Sequence, residues 1–171
     1  ELEEHGTWVE CDMQEAEQLG VTIIPALWTM RNKRSPAGEL TKRKARSCIR
    51  GDLEKGDFIK TSPVVAWPTL RVLLVLSLYL GWDMVSADFS NAFVQSAVTR
   101  PIFMHIPRGF KAQGSGRRCL RLLKSLYGSA TAPRDWFLHL TSILRKLGLK
   151  QSEHDPCLWF KPSLVIALYV D

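Results

Sequence analysis

The sequence predicts an α+β fold, in which short strands form sheets and helices pack beside them. Two segments predict helices, since the one beginning near Pro68 is nearly all apolar and the one beginning at Pro133 has apolar residues at helical spacing. Short apolar runs that are typical of strands lie between and after these segments. From Met84 onward the predicted order is strand, strand, strand, helix, strand, strand, and such runs of strands with segregated helices are typical of α+β proteins.

Length and composition are those of one globular domain. The chain has 171 residues, of which 46% are hydrophobic, which argues against disorder. Lysine and arginine outnumber aspartate and glutamate 23 to 17, and the net charge of +6 favours an anionic partner without identifying it. The acidic start, Glu1–His5, does not resemble a signal peptide, and the longest apolar run, Val72–Leu80, is too short to span a bilayer. We therefore expect a soluble protein with no membrane partner.

The four cysteines show no metal-binding spacing. Cys11, Cys48, Cys119 and Cys157 lie far apart and are not paired with histidines, so a structural zinc site is not expected. Nothing else indicates secretion. We interpret the four side chains as free, reduced thiols of an intracellular protein.

The first half of the chain contains a basic block. Glu15–Leu19 is expected to form a short helical turn, and Thr22–Ala26 is expected to be extended around Pro25. The segment from Trp28 to Gly51 carries one acidic residue, Glu39, against eight basic ones: Arg31, Lys33, Arg34, Lys42, Arg43, Lys44, Arg46 and Arg50. Because Ser35–Gly38 is a turn signal, we predict an antiparallel basic hairpin. The alternative is a solvated charged face, which is how most charge runs are used.

Two helices and five strands are predicted after this block. Thr69–Leu78 is nearly all apolar and predicts a buried helix that ends at Gly81. The second helix begins at Pro133 and stops at Gly148, with an apolar face formed by Trp136, Leu140, Ile143, Leu144 and Leu147. The predicted strands are Met84–Phe89, which is buried and ends in a carboxylate, Ile102–Ile106, Cys119–Leu126, Cys157–Phe160 and Leu164–Val170, the last two joined by a hairpin turn at Lys161–Ser163.

Two carboxylates end apolar strands. Asp88 ends one and Asp171 ends another, and a charge at the end of a buried strand is costly unless something compensates it. If the strands are neighbours, both carboxylates meet at one sheet edge and offer hard oxygen ligands for magnesium. Two metals roughly 3.5–4 Å apart serve in-line displacement at phosphorus. The alternative is that each aspartate caps its strand where the strand meets solvent.

The residues around these carboxylates resemble the reverse transcriptase of copia-type (Ty/copia) LTR retrotransposons. Asp88–Phe93 resembles the family's Asp-Val-x-x-Ala-Phe, and Tyr169–Asp171 resembles the start of its Tyr-Val-Asp-Asp turn. Leu123–Gly128 and Ala132–Trp136 match Leu-Lys-x-Leu-Tyr-Gly and Ala-Pro-Arg-x-Trp. Smaller matches occur in the family's order at Lys44–Arg46, Thr61–Val65, Pro107–Phe110 and Asp155–Leu158. The resemblance covers essentially the whole chain.

The resemblance implies a right-hand polymerase fold with a ferredoxin-like palm sheet and packed helices. Residues 1–171 would be a partial reverse transcriptase domain, with about 1–82 mainly fingers and about 83–171 mainly palm with finger insertions. The chain starts without methionine and stops inside the Tyr-Val-Asp-Asp turn, so we expect it to be a segment without its thumb, inactive or nearly so alone.

The implied activity is RNA-directed DNA polymerisation from deoxynucleoside triphosphates on an RNA or DNA template–primer duplex. The expected partners are the rest of a Pol polyprotein, namely thumb, RNase H, integrase and protease. The family also implies location in cytoplasmic particles, whose DNA product later reaches the nucleus for integration.

Each site residue follows from the resemblance. Asp88, Asp171 and the Phe89 backbone carbonyl would hold two Mg²⁺ ions, with Mn²⁺ as an alternative. Phe93 would exclude the 2′ hydroxyl of ribonucleotides as a steric gate, although an ordinary core aromatic is the alternative. The other expected nucleotide-binding residues are Lys44, Arg46 and Thr131, and the expected template–primer contacts are Arg31, Lys33 and Arg134.

Three stretches depart from the family pattern. Ser129–Thr131 replaces Leu-Lys-Gln, so that Thr131 stands where a longer glutamine would contact the nucleotide; Arg46–Gly51 contains Ser47 in place of an apolar residue; and Val94–Ser96 replaces Leu-Asn-Gly. A degenerate remnant that binds nucleic acid without catalysis is therefore the second functional hypothesis. A basic globular domain with an interaction role is the third.

Overall fold

The computed structural model describes residues 2 and 4–170, and these residues form a mixed α+β structure, as predicted. Within this part of the chain three α-helices accompany three small sheets. The helices are α1 (Met13–Gln18), α2 (Trp67–Leu80) and α3 (Ala132–Lys146). The strands are β1 (Trp8–Asp12), β2 (Ile23–Ile24), β3 (Ala26–Arg34), β4 (Leu40–Ile49), β5 (Phe103–Met104), β6 (Arg118–Leu122), β7 (Lys150–Gln151), β8 (Leu158–Lys161) and β9 (Leu164–Ala167).

The first sheet has the order β1-β6-β5-β2. Strand β1, which the sequence analysis did not predict, pairs antiparallel with β6, and β2 pairs parallel with β5. The predicted strand Ile102–Ile106 is shorter than expected, since β5 covers only Phe103–Met104, and Ile102, Phe103 and Met104 are all buried. Both faces of β5 are covered, since Met104 packs with Ile102 in one core cluster and Phe103 packs in another. The predicted strand Cys119–Leu126 is shorter than expected, since β6 ends at Leu122.

The predicted basic hairpin is confirmed. Strands β3 and β4 pair antiparallel over nearly their whole length, and the Gly38 N–H donates to the Ser35 carbonyl at 2.9 Å to close the turn. The hairpin is joined to the rest of the protein at its base. There, the Ile49 N–H donates to the Tyr127 carbonyl at 2.9 Å, and the Gly51 N–H donates to the Gly128 carbonyl at 3.0 Å. The basic strands therefore extend from a fixed base into solvent.

The third sheet, β7-β8-β9, packs with α3 around a second core. Helix α3 carries Pro133 in its first turn and is followed by Gly148 in the left-handed conformation, as the sequence predicts. Its buried face differs from the predicted one, because Ile143 and Leu147 are exposed whereas Phe137 and Thr141 are buried. Strand β9 is shorter than the predicted strand Leu164–Val170, since it ends at Ala167.

Helix α2 forms where predicted, but its predicted burial is wrong. Asp155 accepts hydrogen bonds from the Ala66 N–H at 3.0 Å and the Thr69 hydroxyl at 2.6 Å, which ties the helix start to the third sheet. Leu78, by contrast, is 86% exposed, and Ser77 is the buried residue of this helix. An apolar run shows that a helix is suited to burial but not what covers it. In the described part of the chain, no helix combines the length and the apolar character needed to cross a membrane.

The cysteines differ in their environments, although all four are free. Cys11 and Cys119 face each other across β1 and β6 with their Sγ atoms 3.5 Å apart. Burial, together with this contact, raises the pKa of Cys119 to about 12, and burial raises that of Cys157 to about 11. Both side chains therefore remain protonated thiols at neutral pH, whereas the thiolate is the reactive form.

We expect iodoacetamide at about pH 8 to label the half-buried Cys48 well before Cys119 or Cys157 in the folded chain. Peptide mass spectrometry over a time course measures the three rates, and labelling in guanidinium provides the control, since all three should then react alike. If Cys119 in the folded chain were labelled as fast as Cys48, Cys119 would not be buried as described.

Candidate functional site

Four of the predicted site residues share one face of the hairpin. Directly opposed residues of an antiparallel pair project to the same side. The register pairs Arg31 with Lys44, Lys33 with Lys42, and Thr29 with Arg46. These pairs alternate along the strands, so one side of the hairpin carries a basic face formed by Arg31, Lys33, Lys42, Lys44 and Arg46. The structure therefore brings together Arg31, Lys33, Lys44 and Arg46, as an anion-binding surface requires.

Asp88 lies within electrostatic reach of this basic face. The pKa of Lys44 is lowered, first by the neighbouring Arg46 charge, then by partial burial and by Lys33 and Lys42. The Asp88 carboxylate acts in the opposite direction on the same pKa. The positive charges thus repel one another, and an anion is the ligand that would relieve this repulsion.

Tyr127 joins the basic face to Phe93. The Arg46 guanidinium lies over the Tyr127 ring at 5.0 Å from its centroid. The Phe93 ring meets the same tyrosine edge-on, with centroids 5.2 Å apart. Phe93 is half-buried, begins a 3-10 turn and packs against the core beside α3. Tyr127 was not among the predicted site residues, and its place in the Leu-Tyr-Gly motif was the only signal in the sequence.

The segment that carries Asp88 does not have the predicted structure. Residues 84–89 form no strand and are exposed; Val85, for example, is 93% exposed. The prediction of a buried strand here is wrong, because within the described residues no neighbouring strand pairs with this backbone. The segment is held instead by side chains: the Phe89 ring meets Trp136 edge-on at 5.2 Å, and the Ser77 hydroxyl contacts the Met84 sulfur.

Two of the three predicted metal ligands lie within the described residues. Asp88 offers an exposed carboxylate and Phe89 a backbone carbonyl, both hard oxygen donors of the type that Mg²⁺ prefers. The second predicted carboxylate, Asp171, lies outside the described residues. Among residues 2 and 4–170, no group of three or more His, Cys, Asp or Glu side chains could hold a metal ion. The donors fit magnesium in type, and their number depends on Asp171.

Thr131 belongs to a buried network around Asp135. Its hydroxyl donates to Asp135 Oδ2 at 3.0 Å, and the side chain is 3% exposed. Asp135 also accepts from the Ser125 hydroxyl at 2.9 Å and from the Thr99 hydroxyl at 2.9 Å. The Thr131 hydroxyl is thus used internally and does not reach the surface where the family glutamine was expected to act. Asp135 is the unspecified residue of the Ala-Pro-Arg-x-Trp motif, so no sequence signal pointed to it.

Arg134 lies apart from the other predicted cations. It is half-buried in the first turn of α3. Within the described part of the chain, no polar or aromatic contact ties it to the basic face. The structure therefore groups the four cations of the basic face with Phe93, and Asp88 lies within electrostatic reach of this group. Thr131 and Arg134 do not belong to it.

Two glycines hold the loop of Tyr127 against the base of the hairpin. A Cβ at Gly51 would lie 2.1 Å from the Gly128 carbonyl oxygen, and one at Gly128 would lie 2.3 Å from the Ile49 carbonyl oxygen. Glu54 adds a further link, since its Oε1 accepts from the Ala130 N–H at 3.0 Å and its carboxylate pairs with Arg100. This close backbone approach positions Tyr127 under Arg46.

Comparison with known proteins identifies the family. The family profile described as reverse transcriptase (RNA-dependent DNA polymerase) matches residues 16–171. No solved structure matches the chain.

Curated relatives are retrotransposon polyproteins. The chain is 29% identical to the retrovirus-related Pol polyprotein from transposon TNT 1-94 of Nicotiana tabacum, over 99% of this chain and 13% of that protein. It is 30% identical to the Pol polyprotein from transposon RE1 of Arabidopsis thaliana, over 88% of this chain and 11% of that protein. A truncated transposon Ty1-A Gag-Pol polyprotein of Saccharomyces cerevisiae is 26% identical over 75% of this chain.

The chain thus spans about an eighth or less of the length of these relatives. Together with the matched profile, these similarities show that the chain belongs to the reverse transcriptase (RNA-dependent DNA polymerase) family, as a region of a copia-type retrotransposon Pol polyprotein.

Proposed function

We propose that this chain carries the nucleotide-binding part of an RNA-directed DNA polymerase, which transfers nucleotides from deoxynucleoside triphosphates to a primer 3′ end. The observation that supports this best is the arrangement of the basic face, which contacts Phe93 through Tyr127 and lies within electrostatic reach of Asp88. A triphosphate needs cations, a sugar needs a shaped wall, and phosphoryl transfer needs a carboxylate nearby. This part of the surface offers all three.

The side chains of this surface have different roles in the proposed reaction. Lys44 and Arg46 bind the triphosphate, since arginine can contact phosphate in a bidentate manner and stabilise developing charge. Phe93 excludes the 2′ hydroxyl and so selects deoxynucleotides. Arg31, Lys33 and Arg134 contact the template–primer duplex. Thr131 acts through its hydrogen bond to Asp135, which holds the loop beside Tyr127 in place.

Asp88, Asp171 and the Phe89 carbonyl would hold two Mg²⁺ ions, or Mn²⁺ in their place. When bound, these ions neutralise the phosphates and lower the pKa of the primer 3′ hydroxyl. The Asp88 carboxylate is exposed and within electrostatic reach of the basic face, which supports this role.

In the parent polyprotein, residues about 1–82 would be mainly fingers and about 83–171 mainly palm with finger insertions. Thumb, RNase H, integrase and protease would be supplied by other parts of Pol, and the activity belongs to that whole. We infer cytoplasmic particles as its location, with the DNA product reaching the nucleus later.

A second function is favoured by one observation. Thr131 replaces the family glutamine, and its hydroxyl is taken up by Asp135. If the glutamine contact is essential, the segment is a nucleic-acid-binding remnant without catalysis.

Primer extension on an RNA template with magnesium, by the Pol segment that contains this chain, separates the two functions. Arg46→Gln and Arg43→Gln form a matched pair, since both residues lie on β4 but Arg43 is opposite Asn32 on the other face of the hairpin. We expect Arg46→Gln to raise KM for the deoxynucleotide about tenfold and to lower kcat, because a phosphate contact is lost. Arg43→Gln should behave like the parent.

Equal effects of the two substitutions would contradict the role of the basic face. Template–primer binding without extension by the parent protein would favour the remnant.

A further inference from the structure

A cavity on the other side of the hairpin is lined by aromatic rings and a lysine. Its volume is about 290 Å³, and its walls include Trp8, Ile106, Phe110 and Lys111. Small-molecule pockets have volumes of roughly 300–1,000 Å³, so this one has room for about one ring system. It shares no lining residue with the basic face or with Asp88.

Phe110 is part of an aromatic stack as well as of the cavity wall. It stacks on Trp28 with an interplanar angle of 12° and centroids 6.0 Å apart. Trp8 meets the same ring edge-on at 87°. The Trp28 indole N–H donates to the Arg108 carbonyl at 2.9 Å, which fixes the loop that carries Phe110. Phe110 nevertheless remains 39% exposed, so the two tryptophans do not cover this residue completely.

The charges around the cavity favour an anionic ligand. Lys111 lines it and is exposed, and Arg108, two residues before Phe110, is exposed as well. Glu10 is the acidic residue in the wall, but its carboxylate is already compensated. It accepts hydrogen bonds from the Gln113 N–H at 2.8 Å, the Gly114 N–H at 2.9 Å and Arg118 Nε at 2.8 Å. These bonds lower the pKa of Glu10 to about 2, so its charge stays paired with Arg118.

The cavity and the basic face are separated by the hairpin itself. Trp28 is opposite Ser47, one position out of phase with the pair of Thr29 and Arg46, so it lies on the other face of the two strands. A ligand in the cavity would therefore not occupy the place of a triphosphate on the basic face. It would instead lie against the first sheet, whose strands β1 and β6 carry Trp8 and Leu120.

We propose that this cavity is a stacking site for one base of a single-stranded nucleic acid, with the Phe110 ring as platform and Lys111 as phosphate contact. Single strands bind proteins through aromatic rings that stack on bases and cations that follow the backbone, and this cavity has both. The inference deepens the proposed polymerase, because the unpaired part of its template is such a strand. The site is independent of the residues that would carry catalysis.

Fluorescence anisotropy with two labelled single strands of about twelve units tests the site. One is oligodeoxythymidylate, and the other is an abasic strand with the same charge but no bases. Phe110→Leu removes the aromatic ring and keeps apolar volume. Phe160→Leu is the matched control, since Phe160 is 42% exposed on β8, in a different sheet. Thermal unfolding of each variant shows whether the fold is retained.

We expect Phe110→Leu to weaken binding of oligodeoxythymidylate about tenfold, as loss of one stacked base predicts, and to leave the abasic strand unaffected. Phe160→Leu should change neither affinity. Lys111→Gln should lower the affinity for both strands and make binding less dependent on salt. Lys146→Gln, which changes an exposed lysine of α3, should alter neither the affinity nor its salt dependence.

Two results would overturn the stacking site: equal affinity of the parent and Phe110→Leu for oligodeoxythymidylate, or an equal loss for both strands. Failure of the polymerase gives a different pattern, namely no primer extension with Phe110-dependent binding retained.

Discussion

Asp88→Asn is expected to lower the rate of primer extension about a thousandfold in the Pol segment that contains this chain. The substitution keeps the size and shape of the side chain and removes its negative charge. Under the proposed function, that charge would hold the divalent ions that neutralise the triphosphate. Template–primer binding should be nearly unchanged, because the basic face is intact in the variant.

Because Asp88 is exposed, its substitution should affect catalysis without affecting stability. Asp88 lies in a segment without regular structure, where its side chain contributes little to packing. Thermal stability should therefore remain close to that of the parent, as is usual for surface substitutions. Had Asp88 ended a buried strand, as the sequence predicted, the same variant would have combined a loss of fold with a loss of chemistry.

Asp83→Asn is the matched control. Asp83 lies five positions earlier, is also exposed and belongs to the same irregular segment. The primer-extension rate of the Asp83→Asn variant should stay within about twofold of the parental rate, since surface changes of this kind have small effects. If both variants extend primers at the parental rate, Asp88 is not a metal ligand and the proposed mechanism fails.

Local signals in the sequence predicted much of the fold. The Ser35–Gly38 turn, the left-handed Gly81 after α2, and the interval from Pro133 to Gly148 around α3 all occur where expected. Each of these signals acts within a few residues, through a fixed φ or a missing N–H. Such constraints depend little on the rest of the chain, so a single sequence is enough to recognise them.

Burial could not be predicted in the same way. The apolar runs at Val72–Leu80 and Met84–Phe89 were both expected to be inside, yet most of their side chains are exposed. Hydrophobicity measures the tendency of a segment to leave water, whereas burial needs a second surface at the right place. That surface is a property of the whole fold, so an apolar run alone does not determine whether a strand forms.

The sequence indicated which residues to group but not how the fold brings them together. The basic block and the family resemblance named Arg31, Lys33, Lys44 and Arg46, and only the register of the folded hairpin shows that they share a face. Tyr127, in contrast, contacts Arg46 from a loop some eighty positions later in the chain. Asp135 likewise gathers hydroxyls from segments that have no common pattern. Pairings of this kind are visible only after folding.

Gly128→Ala is expected to lower the free energy of unfolding by about 3 kcal/mol, which is large for a single methyl group. Gly128 has φ +85°, and an added Cβ would lie 2.3 Å from the Ile49 carbonyl oxygen. That oxygen belongs to backbone, so it cannot move aside as a flexible side chain would. The loop would have to separate from the base of the hairpin and lose the hydrogen bonds between Ile49, Tyr127, Gly51 and Gly128.

Gly148→Ala separates the two causes. Gly148 has φ +81°, nearly the same as Gly128, but no atom lies within 4 Å of the position of its added Cβ. Its cost is the left-handed conformation alone, about 1 kcal/mol. Urea unfolding followed by circular dichroism gives both values. Equal midpoints for the two variants would mean that the close approach at Gly128 does not exist.

A double-mutant cycle with Gly51→Ala tests the contact between the two glycines directly. A Cβ at Gly51 would lie 2.1 Å from the Gly128 carbonyl oxygen, so either substitution forces the same two backbones apart. Once they are apart, the second methyl group meets less resistance. The double variant should therefore lose less free energy of unfolding than the sum of the single losses, by about 1 kcal/mol or more. Additive losses would show that the two glycines act independently, and the loop of Tyr127 would then need another anchor to hold it beneath Arg46.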